Sequence, residues 1–193
     1  MGVRYWTGLA ILLAVVGVAP MDALKYQHRM VAEYVPPDLV PVPGGWESVR
    51  SYFLRREAAS AYDALHAAAG RDGIALRIVS AYRSFDRQDA LYRLQLRIDG
   101  PGQTTVARPG FSEHQLGEAL DLCGPEPAAV LHATFAETAA GRWLAARAPD
   151  FGFAVSYTEA NRAQTGFSPE PWHYRYVGSD ARARHEAAML GSR

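Results

Sequence analysis

The chain has 193 residues, 49% of them hydrophobic and 21% charged, a mix that can bury the core of one domain of ordinary size. Its 20 basic and 20 acidic side chains cancel without forming a basic stripe, which excludes an electrostatic nucleic-acid surface. Cys123 stands alone, so neither an intramolecular disulfide nor a zinc site built on paired cysteines is open to this fold.

Residues 1–23 differ in kind from the rest of the chain. Arg4 precedes an uncharged apolar run over residues 5–20, "YWTGLAILLAVVGVAP", and the next charge is Asp22. That length suits a secretory signal peptide and is marginal for a full membrane span. Pro20 follows Gly17 and Ala19 directly, and cleavage after Ala23 would place bulky Met21 at the other specificity position. The preferred reading is therefore an uncleaved membrane anchor, with a cleaved signal as the other. Both put the domain outside the cytoplasm, in a periplasm or at a cell surface. Residues 24–47 read as a tether and proline-rich lead-in, because "YVPPDLVPVPGG" admits neither a helix nor a central strand.

The remainder, 48–193, reads as one catalytic domain. From about Arg55, Ala58, Ala61, Tyr62, Leu65, Ala68 and Ala69 recur at helical steps until Gly70 and Gly73. "IALRIVS" alternates as a strand with Ile74, Leu76 and Ile78 on one face. Ser84 is the expected N-cap of a helix to about Ile98, whose buried stripe would be Leu91, Leu94 and Ile98; Asp86 and Asp89 read as its first-turn acids. The glycine- and proline-containing loop "DGPGQTTVARPGF" is long enough to suggest function. "EALDL" is a strand with Ala119 and Asp121 on one face. A helix near 135–147 follows, with Phe135, Ala139 and Trp143 four apart. "FGFAVSY" and "WHYRYV" read as strands, and Ser179 starts a last helix. The expected class is α+β, a small mainly antiparallel sheet flanked by helices.

Catalytic zinc usually keeps three protein ligands and an open position, where it acidifies water and polarises a carbonyl. His114 and Asp121 can supply two ligands; Gly117 permits the turn between them and Ala119 leaves room beside Asp121. His173 can supply the third. Glu170, three residues earlier and set off by Pro171, can serve as general base. Arg83, at a strand-to-helix junction, is suited to an oxyanion.

These fragments occur in the order and spacing of a known family. Ser112, His114, Gly117, Ala119 and Asp121 satisfy S-x-H-x-x-G-x-A-x-D, and Glu170, Trp172 and His173 satisfy E-x-W-H. "SAYRSFDRQ" is similar to S-G-Y-R-S-x-x-x-Q, with Ala81 where glycine is usual. Over roughly residues 33–178 the chain resembles the VanY-type D-alanyl-D-alanine carboxypeptidases, zinc peptidases related to the VanX dipeptidases. The resemblance implies a hedgehog, D,D-peptidase-like fold with a single zinc on His114, Asp121 and His173. It also implies Glu170 as base, Arg83 at the oxyanion or the scissile carbonyl, and Ser112 and Gln88 as substrate-binding residues. Peptidoglycan stem peptides ending in D-Ala would be the partners. L,D-carboxypeptidase or endopeptidase action, and a non-catalytic module binding cell-wall peptide, stay open as alternatives.

Other residues take plainer readings. His28, His66, His132 and His185 lie outside any motif and read as surface or partly buried histidines. Glu113 and Glu118 flank the ligands and could support them from behind, but solvated carboxylates are the preferred reading for both. Trp172, Tyr174 and Tyr176 read as the core face of their strand, with Arg175 opposite, in a structural salt bridge or paired with a carboxylate of the site or of the substrate. Cys123 reads as a buried, inert thiol.

Overall fold

The computed structural model describes residue 30, residues 32–47 and residues 50–178. The leader, the start of the tether and the helix expected from Ser179 lie outside the described residues. Among the described residues no helix is long and apolar enough to cross a membrane.

Strand β1 (Leu39–Val42) pairs antiparallel with β2 (Tyr52–Arg55), Leu39 opposite Arg55 and Val42 opposite Tyr52. The first strand lies inside the proline-rich lead-in. A two-stranded sheet consists only of edges, where Pro41 can sit without breaking a ladder on both sides. Strand β2 was not expected from the sequence. Its alternation is only four residues long, with Tyr52 and Leu54 buried and Phe53 exposed, and it runs directly into a helix.

Helix α1 (Arg56–Arg71) buries Ala58, Ala59, Tyr62, Leu65, Ala68 and Ala69, the stripe its periodicity predicts. Small alanines let the helix lie close to the sheet, while Tyr62 and Leu65 supply bulk. Strand β3 (Arg77–Ser80) leads to helix α2 (Phe85–Asp99), where the Ser84 hydroxyl accepts from the Arg87 N–H at 3.3 Å, as an N-cap should. The expected apolar stripe of α2 is corrected by the structure: Leu94 is 44% and Ile98 66% exposed, and the buried residue is Gln88. The helix touches the body of the protein through its first turns, so its one inward position carries hydrogen-bonding groups rather than a methyl stripe.

The main sheet has the order β3-β4-β6-β5 and is antiparallel throughout, with β4 as Ala119–Cys123, β5 as Phe153–Val155 and β6 as His173–Tyr176. One face carries Ile78, Leu120, Leu122, Phe153 and Tyr174 into a core shared with α1 and with Leu144 and Ala140 of helix α3 (Ala139–Arg147). Truncating Leu120 or Leu144, each fully buried, would cost about 2–5 kcal/mol. Trp172 and Tyr176 pack against the same core, as the strand alternation predicts. The single helix expected near 135–147 is broken. Residues Ala133–Glu137 form a 3-10 turn, and the Thr138 hydroxyl then caps α3 by accepting from Gly141 N at 3.0 Å. The break shifts the buried positions to Phe135, Ala140, Gly141 and Leu144, and leaves Ala139 exposed. Gly141 is required there, since a Cβ would fall within 1.9 Å of the Phe135 carbonyl oxygen. The alternation of 151–157 yields only the short β5, because Phe151 closes a 3-10 turn.

Candidate active site

The face of the main sheet opposite the core carries the polar chemistry. Strands β4 and β6 are its two central strands, and their register sets Asp121 directly opposite His173 and Ala119 opposite Arg175. Directly paired residues share a face and lie side by side, so the pairing brings the carboxylate and the imidazole together. His114 arrives from a 3-10 turn (Glu113–Leu116) that Gly117 ends with φ +72°. A Cβ at Gly117 would stand 2.9 Å from Leu39 Cδ2, so the left-handed turn and the close packing both require glycine.

One ligand atom from each of His114, Asp121 and His173 lies within 4.8 Å of the others, and all three residues are buried. His114 Nε2 is 3.2 Å from Asp121 Oδ2, and His173 Nδ1 is 2.9 Å from Asp121 Oδ1. The outer nitrogen of each ring is also engaged: His114 Nδ1 lies 2.7 Å from the Ala81 carbonyl, and His173 Nε2 lies 2.8 Å from Glu113 Oε2. A carbonyl or a carboxylate can only accept, and Asp121 offers the inner nitrogens an acceptor too; an ion held between them would leave N–H on the outer nitrogens and free the inner lone pairs. Two imidazole lone pairs and a carboxylate then converge on one point. Such a donor set needs a cation between its members, and two histidines with one carboxylate match a catalytic zinc site. The residues present fit the ion that the resemblance implies.

The titration behaviour follows from the same crowding. Burial lowers the His114 pKa to about 4, against the pull of Asp121. For His173 burial also opposes charge, but hydrogen bonds to Asp121 and Glu113 outweigh it and raise the pKa to about 9. Burial opposes ionisation of Asp121 too, yet the two imidazoles hold its carboxyl well below the usual range. Cys123, on the same strand face as Asp121, is pushed up to about 11 chiefly by burial, so it is a thiol and not a competing thiolate.

Glu170 lies at the rim of this cluster, 7% exposed, with Oε2 3.9 Å from His173 Nδ1. Its backbone N–H donates to the Tyr157 carbonyl at 3.0 Å, and its own carbonyl accepts from His173 N at 3.1 Å. Arg83 comes in from the β3–α2 junction with Nη2 3.6 Å from Asp121 Oδ2 and 2.8 Å from Ser80 Oγ. Burial lowers its pKa, and Asp121 opposes the shift. Ser80 reaches this position through an irregularity in the β3–β4 register between Ile78 and Ser80. Ala81 keeps an ordinary backbone; among the described residues Leu131 is the one non-glycine with positive φ.

Ser112 is buried at the head of the 3-10 turn, and its side chain makes no capping bond to that turn. Gln88 has both ends engaged within the protein. Its Oε1 accepts from Arg83 Nη1 at 2.8 Å and its Nε2 donates to the Ala107 carbonyl at 2.7 Å. It thus ties Arg83 to the long loop after α2. That loop is itself folded around Gln103, whose Oε1 accepts from Thr105 N and Val106 N, and is joined by Thr104 to Ser168 at 2.9 Å.

Three further residues belong to this site, one that the sequence placed beside the ligands and two that it did not single out. Glu113, read as solvated, is 4% exposed and sits behind His173. Ser156 donates to Glu113 Oε2 at 2.6 Å. The Tyr157 ring lies 5.0 Å from that of His173 and 4.7 Å from that of Phe167. Glu118, by contrast, is partly exposed and paired with Arg55 at 3.3 Å and Arg175 at 3.5 Å. Only its place beside His114 pointed to Glu113 and only the alternation of 151–157 to Tyr157, while nothing local pointed to Ser156.

Comparison with known proteins agrees with this geometry. The family model described as VanY, D-alanyl-D-alanine carboxypeptidase, matches residues 51–179. YodJ of Bacillus subtilis (strain 168) is 35% identical over 161 residues, which cover 80% of this chain and 59% of YodJ. The chain therefore spans less than two thirds of that relative. The LdcB LD-carboxypeptidase structure is 34% identical with a TM-score of 0.74, over 82% of this chain and 77% of LdcB. A mutant of the vancomycin-resistance D,D-pentapeptidase VanY, solved with Zn(II), is 30% identical with a TM-score of 0.61, over 84% of this chain and 92% of that one. The α+β, D,D-peptidase-like fold expected from the motifs is the fold observed. The chain belongs to the VanY family of D-alanyl-D-alanine carboxypeptidases, and with it to the metallopeptidases.

Proposed function

We propose that this protein is a zinc-dependent D-alanyl-D-alanine carboxypeptidase that removes the C-terminal D-Ala from peptidoglycan stem peptides. The observation that carries the reading is the convergence of His114, Asp121 and His173 within 4.8 Å, with the Glu170 carboxylate at their edge. One zinc ion would be held by His114 Nε2, an Asp121 oxygen and His173 Nδ1. When bound, zinc lowers the pKa of water and polarises a carbonyl. Glu170 takes the proton of the attacking water as the new C–O bond forms, and returns it to the leaving amine as the C–N bond breaks. Arg83 faces the carbonyl oxygen as negative charge develops there. Gln88 keeps the guanidinium in place, and Ser112 serves the peptide.

Stem peptides lie outside the membrane, and the apolar run over 5–20 supports delivery to that side, as signal or anchor. The likeness to LdcB favours a second reading, L,D-carboxypeptidase action on tetrapeptide stems through the same residues. Mass spectrometry after incubation with pentapeptide and tetrapeptide stems separates the two. Glu170→Ala is expected to abolish turnover while leaving zinc binding within about twofold, because Glu170 is outside the ligand set. A variant that still turns over sinks Glu170 as the base.

A further inference from the structure

We infer that Glu113 is the residue that aims His173 at the metal. The inference rests on the reading of His173 as a ligand and goes beyond it in assigning what fixes the ring. An imidazole can present either nitrogen, and the partner of the other nitrogen decides which. His114 obtains that partner from the main chain, through the Ala81 carbonyl at 2.7 Å. His173 obtains it from a side chain, Glu113 Oε2 at 2.8 Å from Nε2. Asp121 draws on Nδ1 in the same way at 2.9 Å, so with an ion between Nδ1 and Asp121 the Glu113 carboxylate, which accepts, would hold the proton on Nε2 and leave the Nδ1 lone pair to the metal.

Glu113 is itself held. It is 4% exposed, its Oε2 accepts from Ser156 Oγ at 2.6 Å, and Arg175 Nη1 lies 3.5 Å from its Oε1. Arg175 also reaches Glu118, with Nη2 3.5 Å from Oε2. The Tyr157 ring, 5.0 Å from the His173 ring, restrains tilting. In a 3-10 turn adjacent residues diverge by a third of a revolution. One turn can therefore send His114 to the metal position and its neighbour Glu113 to the back of another ligand. A charged carboxylate buried at this depth persists only when its partners satisfy it, and here those partners are a ligand imidazole, a hydroxyl and a guanidinium. Glu113 is a positioning residue, and it touches no reacting atom.

The test uses the full chain with zinc. Long-range ¹H–¹⁵N NMR of the zinc-loaded wild type is expected to show His173 protonated at Nε2 and metal-bound at Nδ1. Chelator competition is expected to give Glu113→Ala a zinc affinity about 10–100-fold weaker than wild type, with Glu113→Gln, which keeps an acceptor oxygen at Nε2, recovering most of it. Melting of the zinc-free variants reports whether each is folded; should Glu113→Ala not fold, the wild-type spectrum alone decides. A metal on Nε2, a folded Glu113→Ala that binds zinc within about twofold of wild type, or a Gln variant as weak as the Ala variant overturns the inference. A wild type that binds no zinc, or a His173→Ala variant that binds it as tightly as wild type, would instead overturn the ligand set.

Discussion

Gln88→Leu separates a residue that braces the site from one that waits for substrate. The side chain is 1% exposed, and both of its ends are bonded. Leucine is close to glutamine in volume, so little cavity forms and the loss is polar. The bond to the Arg83 guanidinium is worth about 1.5–3 kcal/mol and the neutral bond to Ala107 about 0.5–1.5 kcal/mol. Urea unfolding of the variant should therefore show a loss of about 2–4.5 kcal/mol with an unchanged slope. A double-mutant cycle with Arg83→Met isolates the first bond and should return a coupling of about 1.5–3 kcal/mol. Turnover should fall as well, since Arg83 keeps its Ser80 bond at 2.8 Å but loses the contact that sets its other nitrogen. A loss below about 0.5 kcal/mol, or two costs that simply add, would refute the bracing role.

Other parts of the molecule carry further expectations. Gly117→Ala forces a Cβ into a left-handed position beside Leu39 and Arg55, so its melting temperature should fall by the equivalent of about 1–2 kcal/mol or more, and zinc affinity with it; an unchanged melt and affinity would show that the turn relaxes freely. Leu94→Lys and Ile98→Lys should each change stability by less than about 0.5 kcal/mol in urea titrations, because both side chains are exposed on α2. A larger loss would restore the apolar stripe as a packing face. Burial raises the Cys123 pKa from 9.0 to about 11, so native protein at pH 8 should resist iodoacetamide that modifies the unfolded chain readily. The same shift contributes stability that is full below the unfolded pKa of 9.0 and lost as pH rises through about 11, a fall that Cys123→Ala should lessen. Equal alkylation of native and unfolded protein would contradict the burial argument.

The metal-site candidates were legible in the sequence because each sits in a local pattern with a physical reason. His114 precedes a glycine that must be left-handed, and Asp121 and His173 occupy the non-core phase of strands whose other phase is Leu120, Leu122 and Tyr174. A period of two separates chemistry from core without knowledge of the fold. The pairing of Asp121 with His173, across 52 residues of sequence, was beyond that reasoning, and it is what turns two motifs into one site. Glu113 was misread for the same reason: its burial is decided by Ser156, His173 and Arg175, which arrive from later in the chain. Helix α2 shows the opposite failure. Leucines at helical spacing predicted a packing face, but the helix is anchored through Ser84 and Gln88, and Leu94 and Ile98 in its second half stay exposed. The break at Thr138 was hidden because a threonine inside an apolar period reads as a helical residue until its hydroxyl is seen capping Gly141.

The most direct test of the proposed activity is to incubate the zinc-loaded protein with a stem pentapeptide ending in D-Ala-D-Ala and to read the products by mass spectrometry. The expected result is loss of one alanine, absent after chelation and absent with Glu170→Ala. An intact pentapeptide after incubation with folded, zinc-loaded protein would contradict the D,D-carboxypeptidase reading, and cleavage of the tetrapeptide alone would replace it with the L,D-carboxypeptidase.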